Sequence, residues 1–143
     1  MTEPSPTNTK PPANSGFDLN QPTVIALLYL AGFATGILAG FATGISSLIG
    51  IVLAHIWAGD NQDEWANSHF AYLIRTFWFS LLGFIVSGVF FFVSIGGYKG
   101  SAMFLVAAFL YPVVAVWFGV RSVICLLKAQ KREPMPDPKT LWI

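Results

Sequence analysis

The sequence predicts an all-α integral membrane protein, a compact bundle of four transmembrane helices of which the first two form a short hairpin. Three observations predict it. Long apolar stretches at residues 23–58, 71–97 and 101–127 each exceed the roughly 18 residues that mark a membrane span. Only 10% of the 143 residues are charged and 55% are hydrophobic, with a mean hydropathy of +0.63, against a charged share of about 25% in a soluble domain. Small residues recur at helical spacing throughout, as helices that pack in lipid require.

Residues 1–22 hold Pro4, Pro6, Pro11, Pro12 and Pro22 among Ser, Thr and Asn, a composition that predicts a disordered tail. It makes a poor signal peptide, because only Lys10 is basic and the apolar run begins late, at Thr23. The transmembrane domain is expected over residues 23–128 and a proline-rich cytoplasmic tail over 129–143.

The stretch 23–58 is 36 residues long. As one helix it would measure about 54 Å, well beyond a hydrocarbon core of about 30 Å. A hairpin broken within residues 40–47, where Gly40, Gly44, Ser46 and Ser47 gather, fits better. One long tilted helix, giving three spans in all, is the alternative. The six residues Ala-Gly-Phe-Ala-Thr-Gly occur twice here, which sets Gly32, Gly36, Gly40 and Gly44 four apart. On a helix each such step advances about 40° beyond a full turn, so the glycines would line a slowly winding groove. Such a groove admits the backbone of a neighbouring helix.

The acidic loop carrying Asp60, Asp63 and Glu64 precedes a third helix, expected over about residues 69–94 and capped by Asn67 or Ser68. Its seam is Thr76, Ser80, Gly83, Ser87 and Ser94, a 3.5-residue repeat suited to left-handed packing. The last helix repeats the pattern with Ser101, Ala108, Ala115 and Ser122, and with Gly119 between the last two. Pro112 predicts a kink. Lys128, Lys131 and Arg132 place the end of the last span in the cytoplasm. Counting back through four spans puts the turn at residues 97–100 outside, the acidic loop inside and both termini inside.

No Asp or Glu occurs at residues 19–59 or 65–132. That argues against an ion-coupled transporter and against paired-carboxylate catalysis. No serine has a Gly-x-Ser-x-Gly setting with a base, so the expectation is a non-enzyme without a cofactor. The single cysteine, Cys125, excludes a multi-cysteine metal site and reads as a small packing residue. His55 and His69 flank the acidic loop at a spacing that fits no zinc pattern, so no metal is expected. A net charge of +1 gives no nucleic-acid footprint.

The charged residues that remain within the apolar helices are Arg75 and Arg121, both placed toward the cytoplasmic side. Intramembrane arginine is costly. The two either snorkel to phosphates or pair with Asp60, Asp63 or Glu64, or, with His69, form a site for an anionic lipid headgroup or another ligand.

The block Ser68-His69-Phe70-Ala71-Tyr72-Leu73-Ile74-Arg75-Thr76-Phe77-Trp78, the pair Trp117-x-x-x-Arg121 and the tail Pro136-Asp137-Pro138-x-Thr140-Leu141-Trp142 together resemble a family of small bacterial membrane proteins. This is the Tic-twenty-like group that includes the magnetosome proteins MamF and MmsF. The resemblance covers residues 22–143 and implies a compact helical domain of three or four spans in the inner membrane. His69, Arg75, Thr76, Trp78, Arg121 and Trp142 match the pattern, and the family gives none of them a catalytic role. Two functions follow. The first is a scaffold or assembly protein with a protein partner or a second copy in the membrane, working through its small-residue helix contacts. The second is a subunit of a transport or channel complex.

Overall fold

The computed structural model describes residues 16–39, 45–60, 63–96 and 101–137. Four helices account for 87% of them and no strand occurs among them. They are α1 (Gln21–Ala39), α2 (Ile45–Asp60), α3 (Glu64–Ile95) and α4 (Ser101–Gln130). By length and composition α3 and α4 can cross a membrane, while α1 and α2 are shorter apolar helices.

Two helices, not one, occupy the first apolar stretch, which overturns the single long helix. Ser46 and Ser47 belong to the first turn of α2 rather than to the break. α1 begins at Gln21, two residues before the expected boundary. Asn20 is its cap: the side-chain Oδ1 accepts the Thr23 N–H at 2.9 Å, which satisfies one of the free donors of the first turn. Pro22 falls in that turn, where a proline's missing N–H costs nothing.

α3 begins at Glu64, five residues earlier than expected, with Asp63 at the cap. Neither Asn67 nor Ser68 caps it. Asp63 and Glu64 set negative charge at the helix N-terminus, which the helix dipole favours, and Trp65 and Ala66 then supply apolar surface to the core. The expected turn at 97–100 lies outside the described residues. α3 closes at Gly96, whose N–H reaches the Phe92 carbonyl at 3.0 Å. α4 runs unbroken through Pro112.

The bundle is held at close approaches where glycine meets a large side chain. A Cβ on Gly50 of α2 would lie 2.8 Å from the Tyr29 ring of α1. A Cβ on Gly83 of α3 would lie 2.7 Å from Val114 of α4, and one on Gly119 of α4 would lie 3.1 Å from the Phe33 ring of α1. Gly32 packs on Ser46 and Ser47. Gly32–Ser47 with Tyr29–Gly50, Thr76–Arg121 with Ser87–Ala107, and Thr23–Gln130 with Phe33–Gly119 run in opposite senses, so α1–α2, α3–α4 and α1–α4 are antiparallel pairs.

Tyr29 is the hub. It is fully buried, stacks on Phe118 with ring centroids 5.3 Å apart, meets Phe77 at 6.1 Å, and reaches the Leu73 carbonyl through its hydroxyl at 3.4 Å.

Three positions of the expected α3 seam lie against α4, while Ser94 bonds within its own helix, to the Phe91 carbonyl at 2.6 Å. Thr76 meets Arg121, Gly83 meets Val114, and Ser87 donates to the Ala107 carbonyl at 3.1 Å. Ser80 is buried with no partner for its hydroxyl among the described residues.

Two expected packing positions are corrected. Gly36 has nothing within 4 Å of where its Cβ would stand. Gly32 already faces α2, and the further 40° to Gly36 turns it toward an open apolar cleft of about 590 Å³ between α1, α3 and α4. Ala108 is exposed at the edge of that cleft, while Ala107 is buried in its place. At about 100° per residue, Ala107 lies within about 20° of the Phe118 direction and Ala108 about 80° away. Ala115 and Gly119 are buried. Gly40 and Gly44 lie outside the described residues.

Candidate functional site

The polar chemistry gathers where the start of α3, the end of α4 and both terminal segments meet. On α3, His69, Tyr72 and Thr76 follow at steps of three and four and share one face; on α4, Trp117, Arg121 and Cys125 do the same at steps of four. The antiparallel pairing sets these two stripes against each other.

Arg121 is 0% exposed. Its guanidinium carbon lies 3.8 Å from the Tyr72 ring centroid and 4.8 Å from that of Trp117, one turn back on its own helix. Its Nε–H donates to Thr76 Oγ1 at 2.9 Å, and the Thr76 hydroxyl donates in turn to the Tyr72 carbonyl at 2.8 Å. One hydroxyl thus accepts from the cation and passes its own proton to the backbone. A desolvated cation over aromatic faces is stabilised by about 2 kcal/mol. The snorkelling expected for Arg121 is therefore overturned: the side chain turns inward onto two rings.

His69 is also fully buried. Its Nε2 lies 2.8 Å from the Glu133 carbonyl, and its Nδ1 lies 3.2 Å from Cys125 Sγ. A carbonyl only accepts, so Nε2 carries the proton and Nδ1 accepts from the thiol. The Trp65 ring stands edge-on to the imidazole at 5.9 Å. Beside it, Ser68 Oγ donates to the Trp65 carbonyl at 2.6 Å and accepts the Met135 N–H at 3.0 Å. Met135 is buried in the core cluster, so the chain at residues 133–135 is held against the bundle.

The end of α4 is shaped for this. The Glu133 N–H reaches the Lys128 carbonyl and the Arg132 N–H reaches the Ala129 carbonyl, both at 3.1 Å. That is the pairing of a Schellman close, in which the turning residue is left-handed and usually glycine. Here it is Arg132, at φ 50°. Its side chain is held by Asp18, with Nη2 at 2.7 Å and Nε at 2.8 Å from the same carboxylate oxygen. The Arg132 contact holds the Asp18 carboxyl below its ordinary value. Gln130 completes the joint. Its Oε1 accepts the Asp18 N–H at 2.9 Å, and its Nε2 donates to the Asp18 carbonyl at 2.7 Å and to Thr23 Oγ1 at 2.9 Å. Asn20 adds a bond to the Ala129 carbonyl at 2.9 Å.

His69 and Arg121 thus share one buried stripe, whereas Arg75 is exposed on another face of α3. Asp60, Asp63 and Glu64 are exposed. Asp60 and Asp63 line a polar cleft of about 460 Å³ together with Trp57, Trp65 and Arg132. The basic residue at that cleft is Arg132, not one of the two arginines expected to meet the acids. His55 is exposed on α2 and bonded within its own helix, to the Ile51 carbonyl at 2.9 Å. No group of three His, Cys, Asp or Glu suited to a metal occurs among the described residues.

Sequence reasoning missed Tyr72, Trp117 and Cys125 as partners of the two buried polar residues. The signal was present in the spacing, since each lies three or four residues from the next member of its stripe. It also missed the joint between Asp18 and Arg132, for which residues 114 apart leave no local trace.

The fold and this site define, among the described residues, an all-helical bundle of four helices, two of them of membrane-spanning length, closed at one end by residues 18–20 and 130–135. No protein-family model, curated protein or solved structure matches the chain.

Proposed function

We propose that this chain is a multi-pass inner-membrane protein with both ends cytoplasmic, acting as a non-enzymatic scaffold or assembly partner. The observation that carries the reading is the bare outer surface of its two long helices. Only 11% and 22% of their most apolar windows are buried. Leu82, Ile85, Val89 and Phe92 on α3 and Phe109, Val113 and Val116 on α4 stand uncovered. An aqueous domain rarely leaves so large a contiguous apolar surface exposed, whereas lipid is a matching solvent for it, provided the backbone is satisfied within helices.

α1, at about 28 Å, nearly matches the hydrocarbon thickness, and α2, at about 24 Å, falls short. Thinning of the bilayer accommodates such a difference at modest cost. The joint of Asp18 and Asn20 with Gln130 and Arg132 supports placing both ends on one side, and Lys128, Lys131 and Arg132 support making that side the cytoplasm. The likeness of the 68–78 block to Tic-twenty-like proteins points to the same class. Partner contact is assigned to helix faces in the membrane, through a second protein or another copy of the chain. The exposed Arg75 is assigned to anionic headgroups.

Alkaline extraction tests the first step: the protein should stay with the membrane pellet, and release would refute membrane integration. Crosslinking in native membranes, followed by native mass spectrometry, tests the second. A defined partner stoichiometry supports the scaffold. A ring of identical copies that leaks ions would replace it with the transport-subunit reading.

A further inference from the structure

We infer that the cleft between α1, α3 and α4 is a binding site for a long-chain alcohol, a single hydrocarbon chain that carries one free hydroxyl. The cleft holds about 590 Å³. Its floor is Ala107 and Ala115, both buried, and its mouth is set by Phe91, Phe104 and Val116, all exposed. Gly36 borders it from α1, with nothing within 4 Å of where its Cβ would stand. The α4 residues of the wall run from Phe104 to Val116, about 18 Å along the axis. Spread over that length, the volume leaves a channel narrower than a helix, which with its side chains is about 10–12 Å across. An extended chain fits such a shape and a second helix does not.

The helix itself creates the polar position in this apolar wall. Within α4 the Ala108 carbonyl would take its ladder bond from residue 112, which is proline and has no N–H to give. Ala108 and Pro112 both line the cleft and both are exposed, so the carbonyl between them stands on the cleft side. The Ser87 hydroxyl is committed to the neighbouring Ala107 carbonyl at 3.1 Å. The Tyr111 ring lies against Phe84, with centroids 5.4 Å apart. In the hydrocarbon region there is no bulk water to supply a donor, and a hydroxyl brought by the ligand supplies it. An ordinary acyl chain carries none.

The depth agrees with this chemistry. In the proposed topology Ala108 stands about 10 Å from the outer end of α4, and most of the cleft runs deeper. An alcohol in a bilayer lies the same way, hydroxyl toward the interface and chain inward. The inference rests on the membrane reading, whose own failure shows separately as release on alkaline extraction.

The test uses the full-length protein in phosphatidylcholine nanodiscs, photolabelled with hexadecanol that carries a diazirine in its chain. Unlabelled hexadecanol and hexadecyl methyl ether compete for the label; the ether keeps the chain and the oxygen and lacks the O–H. Peptide sequencing should place saturable label beside Phe33 and Gly36 on α1 and beside Ala115 on α4. The alcohol should compete about tenfold better than the ether, the ratio that one hydrogen bond gives. Pro112→Ala returns an N–H to the Ala108 carbonyl, so there the alcohol should compete no better than the ether. Gly36→Leu fills the cleft and should remove the labelling. Label spread evenly over the outer helix faces overturns the site. Equal competition by the ether in the wild type assigns the cleft to plain acyl chains and overturns the inference, as does a preference that survives Pro112→Ala. Labelling that appears only when each nanodisc holds one copy gives the cleft to a second chain and overturns it too. Should Pro112→Ala not fold, the wild-type competition and Gly36→Leu still decide.

Discussion

Replacing Thr76 by valine keeps the shape of the side chain and removes its hydroxyl. That hydroxyl accepts from Arg121 Nε at 2.9 Å and donates to the Tyr72 carbonyl at 2.8 Å, at a position with no solvent exposure. The Tyr72 carbonyl keeps its place in the helix ladder, so its loss is small. Arg121 Nε–H loses its acceptor in a dry site. A hydrogen bond to a charged group contributes about 1.5–3 kcal/mol, and a buried charged donor left without an acceptor is at the upper end of that range or beyond it. Thr76→Val should therefore lower stability by about 2–3 kcal/mol. Thr76→Ser keeps the hydroxyl and drops one methyl, worth about 1 kcal/mol. Equilibrium unfolding in mixed micelles, run on both variants, separates the polar contribution from the packing. A double-mutant cycle with Arg121→Met then isolates the pair, because valine costs little once no donor faces it. A coupling of at least about 1 kcal/mol is expected. Equal stability of the valine and serine variants, or simple additivity with Arg121→Met, would refute the role given to Thr76.

Gly50→Ala should destabilise by about 1–2 kcal/mol, since its Cβ would press on the Tyr29 ring at 2.8 Å, whereas Gly36→Ala, with open space around it, should be neutral or slightly stabilising in the same unfolding assay. Arg132→Gly and Arg132→Ala both remove the ion pair to Asp18, but glycine relieves the left-handed backbone at φ 50°, so it should be the more stable variant by about 1 kcal/mol in denaturant titration. Because the Asp18 carboxyl is held below its ordinary value of 3.8, its contribution should be fully present above that pH and vanish as pH falls through the lowered value. The stability difference between wild type and Asp18→Asn, followed down a pH series, should close only in that acid range, and a difference that closes near neutrality would overturn the pairing.

The helices were legible because their apolar runs are long, and the α3 seam was legible because Thr76, Gly83 and Ser87, at steps of seven and four, fall on one face of a helix. The same rule misplaced Ala108, since a seven-residue repeat drifts around a helix of 3.6 residues per turn. The glycine series misled for a related reason: Gly32 and Gly36 differ by about 40°, enough to carry one against α2 and the other into a cleft. Charge was read least well. Arg121 was read as snorkelling, pairing with the acidic loop or meeting an anionic ligand, because arginine avoids apolar surroundings, yet two aromatic faces and the Thr76 hydroxyl help to make an interior place for it, and only the joint spacing of Tyr72, Thr76 and Trp117 hinted at that. The start of α3 was set too late because a polar, acidic stretch reads equally as a loop or as a dipole-stabilised first turn.

The contact between the first and last helices has a consequence for how the chain is made. Asp18, Asn20 and Thr23 bond residues 129, 130 and 132 across more than 100 positions of sequence. The α1–α2 hairpin leaves the ribosome long before these partners exist, so its inner face, including Phe33 opposite Gly119, waits bare of α4 until synthesis is nearly finished. Closure of the bundle is thereby tied to the arrival of the last helix and the seven residues after it. A chain stopped short of residue 130 would hold its early helices without a lock, which leaves an unfinished product recognisable to quality control by its loose first hairpin.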